Sequence, residues 1–447
     1  MVSSSSFLGA LSPADMNRVM QHPAQQANVR VVAALIHELR ACRTPVEYDE
    51  FQRRLFQVLH SREEHKGECR RCAHRLQRGK RLPDPLPQLP PGAEPDDPET
   101  WRVEDLVFDR ICHQLRAVGD GLAWRASGYD RRYVIALSSN ASPGVMAGKA
   151  GLPRELGASA GMRAAGSFGL LHDLTNCLRI GDITEFRPDG AKFLYEIKSS
   201  PTAKTGPQRR RMNAAVEAVM TGGELPDRPG TRIITPTIRC RTHIRSFVSV
   251  IAEAHTRGIA GTSISDSRAL TACSFPALAR TRTSAGPDQL TDDFKTARQN
   301  ALTKAGIASA LHHVRVMSPT RNHDFVPSVM PFALFPFSPE LAALLICDYI
   351  IFDITAAPER IARTMTRYGI TTDIPLALAN DTLTAPDTVV TLSKGPRTLQ
   401  LHPGALYELM IECLDLTTWA QANTEILDAP DPPPHPVLAF ATTRVWR

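Results

Sequence analysis

GDITEFRPDGAKFLYEIKSS, residues 181–200, is the stretch on which the reading of this chain turns. At its centre RPDGAK (187–192) places Pro, Asp and Gly in the order of a tight turn. The flanking segments, Arg179–Phe186 and Phe193–Lys198, read as strands. A turn near Asp189–Gly190 pairs them antiparallel, with Asp189 a turn former. Side chains alternate faces along a strand, so Glu196 and Lys198 share a face that Tyr195 and Ile197 do not. Asp182 then falls opposite Glu196, whereas Glu185 has the other parity and is excluded. Two carboxylates beside one ammonium suit a hard divalent cation and an attacking water. A bound ion would remove the repulsion between Asp182 and Glu196. The Ile197 carbonyl, lying between these groups, offers a further oxygen ligand.

Outward from the hairpin, Phe168–Leu178 is predicted as a helix, Gln208–Met220 as another, Thr231–Thr242 as a strand and Ile244–Thr256 as a helix. This order predicts an α/β fold, a mixed β-sheet flanked by helices. Residues 14–79 read as helical, with Val32, Leu35, Ile36 and Leu39 on one stripe. LPDPLPQLPPGAEPDDPE (82–99) reads as an extended Pro-rich linker. Val103–Ala117 is predicted as a helix, Tyr133–Leu137 as a strand, and residues 140–166 as a flexible connection. The expected domains are a helical N-terminal region (1–81), the linker (82–100), the α/β domain (101–275), a connecting segment (276–329) and an α+β C-terminal domain (330–447).

The hairpin resembles the PD-(D/E)XK nuclease superfamily: an acidic residue on one strand, Asp182, then E-x-K on the next, Glu196-Ile197-Lys198. Gln208, opening GPQRRRM, is similar to the glutamine that follows E-x-K in the replication-repair and exonuclease branches. The resemblance covers about 50 residues strongly. It implies a restriction-endonuclease-like core, Mg²⁺ or Mn²⁺ held by Asp182, Glu196 and Ile197, and catalysis by Asp182, Glu196, Lys198 and Gln208. Family members often add an acidic residue from the preceding helix; Asp173 is the choice here, with His172 and Glu155 as rivals. Lys204, Arg209, Arg210 and Arg211 are candidate phosphate contacts, giving affinity without sequence information. The expected activity is phosphodiester hydrolysis, of DNA in the first instance, in phage defence or repair. The competing reading is a catalytically inactive nuclease-fold protein that binds nucleic acid or serves as a scaffold.

The 447 residues carry a net charge of +6, which permits nucleic-acid binding without demanding it. Basic residues cluster at Arg70–Arg71, Lys80–Arg81, Arg131–Arg132 and Arg209–Arg211. Nine cysteines, an odd number, suit reduced thiols in a cytoplasm. The N-terminus lacks the features of a signal peptide, and no apolar run is long enough for a membrane span. A homodimer or a protein partner would engage the C-terminal domain.

Cys69-x-x-Cys72, between His65 and His74, raises Zn²⁺ as a second cofactor. On a continuous helix the same spacing is an ordinary core pattern, and that reading is preferred. PGVMAGKAG (143–151) fails as a phosphate-binding loop because its glycine spacing is short and Ala150 replaces the required hydroxyl. No G-x-S-x-G elbow is present and Ser199 and Ser200 lack an evident His partner, so a serine hydrolase is not expected.

Overall fold

The computed structural model describes residues 13–139, 141–197, 206–281, 287–317, 328–375, 389–429, 438–442 and 444–445. Two compact units interleave along the chain: residues 1–130, 137–212 and 331–347 form the first, the remainder the second.

The first unit begins with α1 (Pro13–Gln21), α2 (Pro23–Ala41) and α3 (Pro45–Gln77). Pro at the first turn and a side-chain cap open both longer helices: His22 accepts from the Ala24 N–H, and Thr44 and Glu47 form a reciprocal capping box. After the Pro-rich stretch, Asp97 caps α4 (Pro98–Ala126). That stretch is no free tether. Its Leu82 and Leu89 pack against the buried Cys69, Cys72 and Trp101, and the Trp101 indole donates to the Pro95 carbonyl at 2.7 Å.

The segment expected as a strand at Tyr133–Leu137 is instead helix α5 (Arg131–Leu137). Its β-branched Val134 and Ile135 favour a strand locally, but every residue from Tyr133 to Leu137 is buried, so packing overrides propensity. The expected flexible connection contains α6 (Leu152–Ala164), opened by Pro153 in its first turn. The helix predicted over Phe168–Leu178 is absent. Phe168–Leu171 is strand β1, followed by a 3₁₀ turn at His172–Leu174. A four-residue apolar run cannot separate strand from helix by periodicity; here all four residues are buried and pair with β2.

Strands β2 (Ile183–Phe186) and β3 (Lys192–Tyr195) complete a three-stranded antiparallel meander in the order β1-β2-β3. Helix α7 (Gly206–Thr221) follows where a helix was predicted.

The second unit holds β4 (Glu224–Leu225), β5 (Arg228–Ile234), β6 (Arg239–Cys240), α8 (Ile244–Arg257), β7 (Ile259–Ser265), β8 (Arg268–Ser274), α9 (Phe275–Thr281), α10 (Pro287–Lys304) and β9 (Val314–Met317). α11 (Pro339–Ile346) returns to the first unit. The second resumes with β10 (Ile350–Ala356), α12 (Pro358–Thr366), β11 (Thr371–Asp373), β12 (Val390–Lys394), β13 (Arg397–Leu401), α13 (Gly404–Ile411), α14 (Leu416–Asp428), β14 (Leu438–Ala441) and β15 (Arg444–Val445). β7-β8-β10-β9 is antiparallel, whereas β11-β12-β13-β14-β5-β4 is mixed, with β14 parallel to both neighbours. The α/β class holds. Among the described residues no helix is long and apolar enough to cross a membrane, and all nine cysteines are buried thiols.

Candidate active site

The β2–β3 hairpin turns where expected. The Asp189 carboxylate accepts from the Ala191 N–H at 2.9 Å, and Ile183 pairs with Tyr195. The pairing ends there: Asp182 lies one residue before β2 and Glu196 one residue after β3, near enough that the Glu196 charge acts on the Asp182 carboxyl. Gly181 makes the approach feasible at φ +79°, since a Cβ there would stand 2.7 Å from Leu194 Cδ1 and 3.1 Å from the Tyr195 carbonyl. The Asp182 backbone is held from both sides: its N–H donates to the Tyr195 carbonyl at 2.8 Å, and its carbonyl accepts from the His172 N–H at 2.9 Å. Its Oδ2 accepts from the Ile197 N–H at 2.6 Å. Alternation works as anticipated on the other face. There Glu185 receives Arg187 at 3.1 Å and the Tyr195 hydroxyl at 2.7 Å.

Three carboxylates converge on one ammonium. Lys149 Nζ lies 2.8 Å from Glu155 Oε1, 2.7 Å from Asp173 Oδ2 and 3.9 Å from Asp182 Oδ1. Glu155 comes from the first turn of α6 and is buried; Asp173 comes from the 3₁₀ turn, not from a helix as expected. Burial opposes the Lys149 charge, but Asp173 and Glu155 hold its pKa above the ordinary lysine value. Burial first, then the charges of Glu196 and Glu155, push the Asp182 carboxyl up to about 6, against the Ile197 N–H and Lys149. His172 is not in this set. It is fully enclosed, its Nε2 2.8 Å from Thr184 Oγ1, and burial lowers its pKa to about 4.

What brings Lys149 there begins far upstream. Glu63 of α3 and Arg116 of α4 form a buried ion pair. Glu63 Oε2 accepts from the N–H groups of Met146 and Ala147 at 2.7 and 3.0 Å. Arg116 donates to the carbonyls of Gly144 at 2.8 Å and Asp173 at 2.9 Å. One ion pair therefore positions both the loop that carries Lys149 and the turn that carries Asp173. Gly144 leaves room for this contact, since a Cβ there would meet Asp173 Oδ1 at 2.5 Å and push the carboxylate aside. A second anchor is Asp120, fully buried, whose Oδ1 accepts from the N–H groups of Asn176 and Cys177 at 2.7 and 2.8 Å. The next face of α4 carries Gly119, where a Cβ would stand 1.8 Å from the Leu174 carbonyl oxygen.

The remaining candidates are not all placed. Lys198 and Lys204 lie outside the described residues. Gln208 is in the first turn of α7, its side-chain oxygen accepting from Arg211 at 3.0 Å, while Arg209 and Arg210 are exposed. Arg131, counted among the basic clusters, is committed elsewhere. It is buried in the second unit against Glu408 and Glu412, so it is no phosphate contact. Lys149, Glu63 and Arg116 were not foreseen. The one signal in the sequence is a lysine directly after Gly148, in the segment rejected as a phosphate-binding loop.

Comparison with known proteins adds no relative: no family model, curated protein or solved structure matches this chain.

Proposed function

We propose that this face of the meander is the active site of a metal-dependent nuclease with a restriction-endonuclease-like core. The observation that carries the reading is the convergence of Glu155, Asp173 and Asp182, with the Glu196 charge felt at Asp182, at the open end of a β-hairpin. The donor set is all hard oxygen and partly buried, which suits Mg²⁺ or Mn²⁺. Asp182 and Glu196 would hold the ion, with Asp173 or Glu155 completing the set. When bound, the ion polarises a phosphodiester and lowers the pKa of a bound water. The chain's own groups prepare the ground: the Ile197 N–H fixes the Asp182 carboxylate, and the Glu63–Arg116 pair fixes Asp173. Lys149 neutralises the acidic cluster and can yield its place or turn toward phosphate oxygens. Arg209 and Arg210, exposed on α7, suit the backbone of DNA, the proposed substrate.

The competing reading, a silent binding protein, draws on the same Lys149, because its ammonium satisfies these carboxylates without any metal. Incubation of plasmid and linear DNA with Mg²⁺ or Mn²⁺ separates the two, comparing the unaltered protein with Asp182→Ala, Glu196→Ala and Lys198→Ala. Cleavage lost in all three variants supports the nuclease. Binding without cleavage by the unaltered protein supports the silent module.

A further inference from the structure

Where α3 crosses α4, a second group of ligating side chains gathers that shares no residue with the acidic cluster. His65 and Cys69, four residues apart, present one face of α3; Glu104 faces them from α4 and is only 2% exposed. One donor atom from each of the three lies within 4.8 Å of the other two. His65 Nε2 and Glu104 Oε2 are 3.4 Å apart, and a tetrahedron with bonds of ~2.0–2.2 Å has edges of roughly that length. The His65 ring is steadied by Phe108, with centroids 4.1 Å apart.

His22 supplies the orienting contact. Its Nδ1 accepts from the Ala24 N–H at 3.2 Å, so the neutral ring carries its proton on Nε2 and donates it to Glu104 Oε1 at 2.8 Å. That leaves Oε2 to face His65 and Cys69. Outer hydrogen bonds of this kind hold ligating carboxylates in position. The charges also match, since one thiolate and one carboxylate neutralise a divalent cation in a buried place. Mixed sulfur, nitrogen and oxygen donors favour zinc over magnesium. Cys72, the other half of the CxxC, is buried beside Trp101 and is not part of this donor group.

We propose that His65, Cys69 and Glu104 bind one Zn²⁺, with His22 orienting Glu104 and water in the fourth position. Binding forms a zinc–sulfur bond and releases the Cys69 thiol proton to solvent. The ion pins α3 to α4, the two helices that also supply Glu63 and Arg116.

The test uses the full chain, stripped with a chelator and titrated with Co²⁺ as the optical probe. The expected result is one equivalent bound, with a thiolate-to-cobalt charge-transfer band and the intense visible bands of tetrahedral cobalt, all displaced by Zn²⁺. Cys69→Ser abolishes the charge-transfer band and Cys72→Ser retains it. His65→Gln, at a partly exposed position that should spare the fold, weakens cobalt binding at least ~10-fold. Circular dichroism establishes that each protein compared is folded. A folded unaltered protein without the band overturns the proposal. So does a band that survives Cys69→Ser, or one lost in a folded Cys72→Ser variant.

Discussion

Replacing Lys149 by Met tests the acidic cluster without requiring any knowledge of the substrate. The substitution keeps an unbranched side chain out to Cε and deletes the ammonium that Glu155 and Asp173 contact at 2.8 and 2.7 Å. Removing one member of a buried ion pair costs ~3–5 kcal/mol, because the partner charges stay behind uncompensated. The Lys149 side chain is 29% exposed, so solvent screens part of this and the lower end, about 3 kcal/mol, applies. For a unit of this size that corresponds to a melting temperature lower by roughly 6–12 °C. The assay is calorimetry in the presence of a chelator, then with Mg²⁺ at rising concentration. In the variant an ion held by the same carboxylates replaces the missing charge, and at 100 times its dissociation constant it restores about 2.7 kcal/mol. The unaltered protein gains less, since there the ion must first displace the ammonium. A variant as stable as the parent in chelator, or one that gains no more from Mg²⁺, would refute the argument.

Three further outcomes each follow from a single buried contact. Glu63→Gln leaves Arg116 buried without its counter-charge and loosens the Met146–Ala147 loop; urea denaturation should show a loss of about 3 kcal/mol, and an unchanged midpoint would contradict the clamp. Gly119→Ala drives a methyl group into the Leu174 carbonyl, and the forced shift of α4 should cost at least ~1–3 kcal/mol by the same measurement. His402, stacked on Phe440 with its Nδ1 accepting from the Gly404 N–H at 3.0 Å, has its pKa lowered to about 3 by burial and then by Arg228. The unfolded chain therefore binds this proton more readily than the folded one. Its share of stability is complete above pH 6.5 and is lost as pH falls toward 3, about 2 kcal/mol of it by pH 5. The difference in urea midpoint between pH 7 and pH 5 should shrink in His402→Asn, and an equal difference in both proteins would remove His402 as the cause.

The hairpin was legible because its information is local. A turn chemistry that centres on Asp189 sets the register, which pairs Ile183 with Tyr195 and puts Glu185 on the face of the Tyr195 hydroxyl. The long helices were legible in their stripes, and α7 in its span. What surrounds the hairpin was not legible, for reasons that lie outside any short window. β1 falls in a segment that reads as a helix, and α6 in one that reads as a loose connection. The four apolar residues of β1 take their form from pairing with β2, and α6 from packing that Ala and Gly do not advertise. Asp173 was chosen for a helical position it does not have; Glu155, weighed as its rival, occupies the helix. Lys149 depends on Glu63, more than eighty residues earlier, and no local pattern relates the two.

The closing segment of the first unit has a temporal consequence. Arg40 of α2 places its guanidinium on the carbonyls of Ala333, Phe335 and Phe337 at 2.9, 2.7 and 2.6 Å, and Gln25 of the same helix donates to the Cys347 carbonyl at 3.3 Å. As the chain leaves the ribosome, those acceptors emerge more than a hundred residues after α7. Until much of the second unit has been synthesised, α2 keeps a hydrated guanidinium and a bare face where these carbonyls later dock. A fragment cut after α7 would lack these carbonyl partners and leave that face of α2 uncovered.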